Sequence, residues 1–148
     1  MSQRVDVIKA EAVHIPQIAE IEAECITDGW SENAFYEALS NKNALIFAAV
    51  CNGGVIAFLN GSYVLDEAEL LNIAVTARCR RMGAAGALME RFFAELESLG
   101  IKTVFLEVRE SNSGAICLYE KYGFEKSGMR KNYYHNPTEN AVLMTKTL

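Results

Sequence analysis

The sequence predicts an α/β fold of the α+β kind: a mixed, mostly antiparallel twisted sheet with one parallel step at its centre and about four helices. Three observations predict it. ALIFAAVC (44–51) and VIAFLNGSYV (55–64) flank Asn52-Gly53-Gly54, a strong hairpin signal. TVFLEV (103–108) is a near-continuous apolar run, the pattern of a strand covered on both faces. Between a strand at 69–75 and that run, Leu88, Met89, Phe92, Phe93, Leu96 and Leu99 recur at helical spacing, so the chain crosses over to a parallel neighbour.

The remaining elements follow in order. Val5 to Lys9 alternates weakly and reads as a first strand. Ile15, Ile18, Cys25 and Ile26 give one apolar helical face, with Pro16 in the first turn, where its missing N–H does no harm. After Asp28-Gly29-Trp30, Ser31 is a good N-cap for a second helix that carries Ala34, Phe35, Ala38 and Leu39 inward. Gly100 stops the central helix. Residues 113–122 form a fourth, with Ala115, Leu118, Tyr119 and Tyr122 on one stripe and Gly123 at its end. Two last strands run through 124–134 and 141–147. No repeat, linker or low-complexity stretch interrupts the chain, and residues 1–148 are expected to form a single domain.

Composition narrows the function classes. At 51% hydrophobic and 22% charged, the chain has the make-up of an ordinary globular protein. No apolar run approaches the ~20 residues that cross a membrane, and the N-terminus MSQRVDVIKAE lacks the apolar core of a signal peptide. A cytoplasmic location with no membrane partner is therefore the expectation. The four cysteines lie far apart without a C-x-x-C pair, so no metal is expected, and Cys25, Cys51 and Cys117 read as buried small hydrophobes. Residues 1–75 hold 11 acids and 3 bases (−8), whereas residues 76–148 hold 8 acids and 11 bases (+3). Two ligands of opposite sign would suit that asymmetry, although plain solvated surface gives the same counts. The global negative balance argues against general nucleic-acid binding.

RRMGAAGALM (80–89) is where a ligand is first expected. A helix whose first turn carries almost no side chain exposes unpaired N–H groups, and the helix dipole adds partial positive charge there. Arg80 and Arg81 add formal charge, which makes a ready pyrophosphate site. A small-residue helix packed on a sheet is the plain alternative. A dinucleotide fold would also use Gly83 and Gly86, with Glu107 on a ribose, but its first glycine is missing and residues 76–82 replace its tight turn.

Glu107 interrupts the apolar run of Val104, Phe105, Leu106 and Val108. Burial would raise its pKa, so it is either a general base or a strand-end carboxylate paired with Arg109 or a nearby arginine. Tyr119 is a core aromatic by pattern; at the start of a cleft its phenol could instead give a proton to a leaving group. Asn112, in the turn before the fourth helix, is a cap or a ligand contact. Neither His14 nor His135 suggests a role.

These residues together resemble the GNAT acetyltransferase superfamily. RRMGAA resembles its R/Q-x-x-G-x-G/A signature, and LEVRESNSGAICLYEKYGF (106–124) its N-x-x-A-x-x-L-Y-x-x-x-G-F signature. LDEAELLNIAV (65–75), LEVRESN, RKNYY (130–134) and Trp30-Ser31-Glu32 are similar, more specifically, to the ribosomal-protein alanine N-acetyltransferase branch. Ala85 stands where glycine is commoner, and Ala77 replaces a frequent proline.

The resemblance implies acetyl-CoA as co-substrate and the basic N-terminus of a ribosomal protein as acceptor. It implies that Ile73, Ala74 and Val75 pair with the pantetheine amides. Arg80, Arg81, Met82, Gly83, Ala84, Ala85 and Gly86 would hold the pyrophosphate, and Asn112 the cofactor arm. Glu107 would be the general base and Tyr119 the general acid. No Cys or Ser sits beside a histidine in a triad pattern, so direct transfer is expected. Asp28, Glu32, Asp66, Glu67 and Glu69 would attract a basic acceptor or serve as solvated surface; Trp30, Tyr133 and Tyr134 would line the acceptor groove or pack. An acetyltransferase for small amines or lysine side chains, and a non-catalytic acetyl-CoA-binding module, are the alternatives.

Overall fold

One seven-stranded sheet carries the fold. The computed structural model describes residues 4–148; residues 1–3, part of the N-terminal stretch read above, lie outside it. The elements in chain order are β1 (Asp6–Lys9), a 3-10 turn (Ala12–His14), α1 (Ile15–Cys25), α2 (Glu32–Leu39), β2 (Ala44–Cys51), β3 (Gly54–Val64) and β4 (Glu67–Val75). A second 3-10 turn (Ala77–Cys79), α3 (Ala84–Ser98), β5 (Thr103–Arg109), α4 (Ser113–Lys121), β6 (Glu125–Tyr134) and β7 (Glu139–Thr147) complete them. The strand order is β1-β2-β3-β4-β5-β7-β6. β4 and β5 are parallel and all other neighbours antiparallel, as the sequence predicts, which also removes the dinucleotide fold.

Local chemistry accounts for several element ends. Asn52 and Gly53, at φ 52° and 80°, make the two-residue turn that pairs Cys51 with Gly54. The Ser31 hydroxyl accepts from Ala34 N at 3.1 Å and caps α2. Asn112 does the same for α4, its Oδ1 accepting from Ala115 N at 3.1 Å.

Helices cover both faces of the sheet. β2 shows the division: Leu45, Phe47 and Ala49 join the core under α3 and α4, while Ile46 and Ala48 join a second core with Ile15, Ile18 and Ile21 of α1 and Phe35 of α2. Three expectations need correction. The inner face of α1 is completed by Ile21 and Glu22; Cys25 is half-buried, and Ile26 lies beyond the helix end and is exposed. Cys117 is exposed on α4. β5 is buried on one face only: Val104, Leu106 and Val108 pack under the α3 and α4 side, whereas Phe105, Glu107 and Arg109 alternate onto the other.

The parallel step is short, and that shapes the molecule. β4 and β5 pair at Glu67–Thr103, Ala68–Val104 and Glu69–Phe105, and no further. Beyond this point β4 carries a bulge. Asn60 opposes Asn72 and Gly61 opposes Leu70, so Leu71 is the extra residue, and such a bulge bends its strand. Gly61 permits the close approach; a Cβ there would lie 2.9 Å from the Glu69 carbonyl and 2.8 Å from the Phe92 ring. The far halves of β4 and β5 diverge as the arms of a fork, and backbone groups facing the gap have no sheet partner.

Candidate active site

The fork opens into a cleft of about 1890 Å³. That exceeds the usual 300–1,000 Å³ of a pocket for a drug-sized ligand, so an extended ligand fits it. Ile73, Ala74 and Val75 line one arm and Leu106, Glu107 and Val108 the other, with Arg80, Arg81 and residues 83–86 at one end. Among the residues named for acetyl-CoA, Met82 is the exception: it does not line the cleft and packs against the core instead.

The loop into α3 is built to present N–H groups. Arg81 and Gly83 both adopt left-handed conformations, at φ 70° and 79°. Gly83 caps the helix without a side chain, and the bond from Ala87 N closes on its carbonyl at 3.0 Å. The N–H groups of Ala84, Ala85 and Gly86 are therefore in the turn an α-helix leaves without acceptors. Arg80 and Arg81 are exposed beside it. Glu24 steadies the loop: its carboxylate accepts from Thr76 Oγ1 at 3.2 Å and Ala77 N at 3.1 Å, and the Ala77 N–H above all holds its pKa below the usual range. Gly86 has a further role, because a Cβ there would meet the Tyr122 hydroxyl at 2.6 Å.

Glu107 faces the α1 and α2 side of the fork. Its partner is Arg130, whose Nε lies 3.3 Å from Oε1, and the Tyr133 hydroxyl also donates to it. Arg109, the first-named sequence candidate, is engaged elsewhere: it pairs with Glu139 at 3.1 Å and donates to the carbonyls of His135 and Pro137. Residues three apart on a regular strand point to opposite faces, so Arg130 and Tyr133 should not meet one carboxylate. They meet it because β6 is distorted between Arg130 and Tyr134, where Asn132 takes φ 51° and its N–H reaches the Asn140 side chain at 3.0 Å. The Glu107 carboxylate holds the Tyr133 phenol above its ordinary pKa.

Tyr119 belongs to the core on the α3 and α4 side, edge-on to Phe124, and also lines the cleft. Burial, and then the neighbouring Tyr134, push its pKa up to about 12. Tyr134 is likewise raised to about 12, chiefly by burial and then by Glu107. The fork thus has a carboxylate on one face and a phenol, protonated at neutral pH, on the other. Asn112 lines the cleft while serving as the α4 cap. Trp30 both packs, 5.3 Å from Phe35, and lines the cleft, as do Tyr133 and Tyr134. Of the five acids singled out, Asp28 and Glu69 reach it, and Glu32, Asp66 and Glu67 do not.

Two buried polar groups escaped sequence reasoning, Glu22 and Asn60. Glu22 is 0% exposed and lines the cleft beside Asn72. The available signal was a carboxylate four residues after Ile18, on the apolar stripe of α1. Among the described residues no group of three His, Cys, Asp or Glu side chains could hold a metal ion, and no helix is long and apolar enough to cross a membrane.

Comparison with known proteins bears on the same features. The model of the Acetyltransferase (GNAT) family matches residues 15–124. The ribosomal protein bS18-alanine N-acetyltransferase of Escherichia coli (strain K12) is 41% identical over 138 residues, covering 90% of this chain and 91% of that one. The crystal structure of the ribosomal-protein-S18-alanine N-acetyltransferase from Escherichia coli superposes with a TM-score of 0.90 at 37% identity, over 97% of this chain and 94% of that one. The PaiA N-acetyltransferase of Thermoplasma acidophilum, in complex with coenzyme A, shares the fold at a TM-score of 0.82 and 16% identity, over 98% of this chain and 99% of that one. With a family model spanning most of its length and a relative this similar end to end, the chain belongs to the GNAT family of acetyltransferases.

Proposed function

We propose that this chain transfers the acetyl group of acetyl-CoA to the N-terminal alanine of a ribosomal protein, in the cytoplasm, as a single GNAT domain over residues 1–148. The observation that carries the reading is the fork: bare helix N–H groups at its base, and a carboxylate and a phenol on its two faces. The names borne by the Escherichia coli relatives support the choice of acceptor.

The residues present fit acetyl-CoA. The N–H groups of 83–86, with Arg80 and Arg81, suit its pyrophosphate. Met82 packs its side chain against the core and is left out of this set. On the open edge of β4, Ile73 and Val75 offer backbone groups to the pantetheine amides, while Ala74 between them turns its own to Phe58 of β3; Asn112, beyond the end of β5, lines the same cleft. Bound so, the thioester approaches from the α3 and α4 side, while the acceptor enters from the side of α1, Trp30, Tyr133 and Tyr134.

A peptide α-amine has a reference pKa of about 8 and must lose a proton before it attacks. Glu107 takes that proton, directly or through water. The amine lone pair then forms the C–N bond at the thioester carbonyl, and a strand-edge N–H near Val75 receives the developing negative oxygen. As the C–S bond breaks, Tyr119 gives its proton to sulfur, and the nitrogen gives up its second proton, which returns through water to the phenolate; at a pKa of about 12 the restored phenol holds its proton throughout the neutral range. No side chain is acylated.

Incubation with acetyl-CoA and purified ribosomal proteins, followed by intact-mass measurement, tests the reading. One acetyl group on the N-terminus of an alanine-initiated protein is expected. Transfer only to lysine side chains or small amines overturns the acceptor, and no transfer to any amine overturns the enzyme reading.

A further inference from the structure

The mechanism leaves Glu22 unused. Its Oε2 accepts from the backbone N–H of Trp30 at 3.0 Å and from the Asn72 side chain at 2.6 Å, and Asn72 Oδ1 in turn accepts from Asn60 Nδ2 at 2.9 Å. Its other oxygen, Oε1, is buried without a partner. A buried carboxylate is costly unless it is well hydrogen-bonded, so its two bonds are held firmly. Gly29 confirms how tightly the loop lies against it: a Cβ there would be 2.8 Å from Glu22 Cγ and 2.9 Å from Oε2.

The two donors come from opposite sides of one wall. Trp30 belongs to the loop between α1 and α2, and Asn72 follows the bulged Leu71, where β4 leaves β5. All three line the cleft on the face that Glu107 shares. The same loop reaches across the opening, since Asn136, between β6 and β7, donates to Asp28 at 2.7 Å. A single carboxylate oxygen therefore joins the loop to the divergent arm of the fork.

We propose that Glu22 is a positioning residue for the acceptor, holding the Trp30 loop to Asn72 and so fixing the wall against which the incoming amine lies. This rests on the acetyl-transfer reading above, and it concerns acceptor affinity rather than the chemical step or the binding of acetyl-CoA.

The test is steady-state kinetics with acetyl-CoA and an alanine-initiated basic peptide, together with fluorescence of Trp30, the single tryptophan of the chain. Glu22→Ala and Asn72→Ala are expected to raise the peptide KM about tenfold, as loss of a charge-assisted hydrogen bond does, with the acetyl-CoA KM unchanged. Their Trp30 emission shifts to the red and quenches more readily. Glu22→Gln keeps an oxygen for both donors and is expected to stay close to wild type in KM and emission. Folded Glu22→Ala or Asn72→Ala with a wild-type peptide KM overturns the proposal, as does a rise in the KM of both co-substrates together. Should Glu22→Ala not fold, Asn72→Ala decides alone. If the wild-type enzyme acetylates another amine but not the peptide, the acceptor reading fails separately, and the KM of that amine decides the role of Glu22.

Discussion

Arg130 Nε lies 3.3 Å from Oε1 of Glu107, so the carboxylate that the fork presents on its α1 and α2 side already holds a guanidinium. The pair is partly exposed, which keeps its contribution to stability small. Glu107→Gln preserves the shape and removes the base. We expect kcat to fall about 10²- to 10⁴-fold, with acetyl-CoA affinity unchanged. Wild-type turnover in that variant would remove Glu107 from the mechanism.

Tyr119→Phe should lower kcat about 10²-fold, the low end for loss of a proton donor. Because the phenol stays protonated until about pH 12, its loss lowers the rate equally across neutral and mildly alkaline pH and leaves the shape of the pH–rate profile intact. A variant whose profile gains or loses a limb there would show a different group titrating.

At the mouth of α3, Gly83→Ala forces a side chain into φ 79° with nothing within 4 Å of the new Cβ. The cost is therefore conformational, about 1–2 kcal/mol, and is measured by urea unfolding. The same change tilts the bare N–H groups, so calorimetry with acetyl-CoA should show affinity reduced about tenfold. Arg81→Ala leaves the turn in place and weakens the same affinity in a salt-dependent way.

Gly61→Ala tests the origin of the fork. The added Cβ meets the Glu69 carbonyl and the buried Phe92 ring, neither of which can withdraw, so overpacking of about 1–3 kcal/mol is expected. An unchanged unfolding midpoint would mean that β3 and β4 do not need this approach.

Glu22→Gln carries a pH-dependent stability prediction. Desolvation, opposed by the bonds from Trp30 N and Asn72, leaves the folded carboxyl with a raised pKa. As pH rises through the usual carboxylate range the unfolded chain releases this proton first, so the native state loses stability relative to it. Glu22→Gln removes that penalty. The variant should melt higher than wild type at neutral pH, and the difference should vanish in acid; a constant difference at all pH values would contradict it.

The fold was legible wherever neighbouring residues decide the geometry. Asn52-Gly53, Ser31 and Asn112 set their turn and caps through their own backbone preferences and side-chain oxygens. The crossover is legible for a partly wrong reason: Phe105 makes β5 look covered on both faces, although it shares the open face with Glu107 and Arg109. What escaped was long-range. The bulge at Leu71 depends on Gly61 meeting Glu69 and Phe92, and the distortion of β6 on Asn132 meeting Asn140. These contacts open the fork and bring Arg130 and Tyr133 together on Glu107, and no periodicity announces either. Glu22 was hidden differently, since its partners Trp30 and Asn72 are distant in sequence and only their convergence explains a buried carboxylate on an apolar stripe.

A crystal structure with coenzyme A and an alanine-initiated peptide tests the central claim most directly. The account predicts the diphosphate on the N–H groups of residues 83–86, the sulfur within hydrogen-bond reach of the Tyr119 hydroxyl, and the peptide amine entering from the opposite face toward Glu107. A diphosphate bound away from the start of α3, or an amine and sulfur that meet out of reach of both side chains, would contradict it.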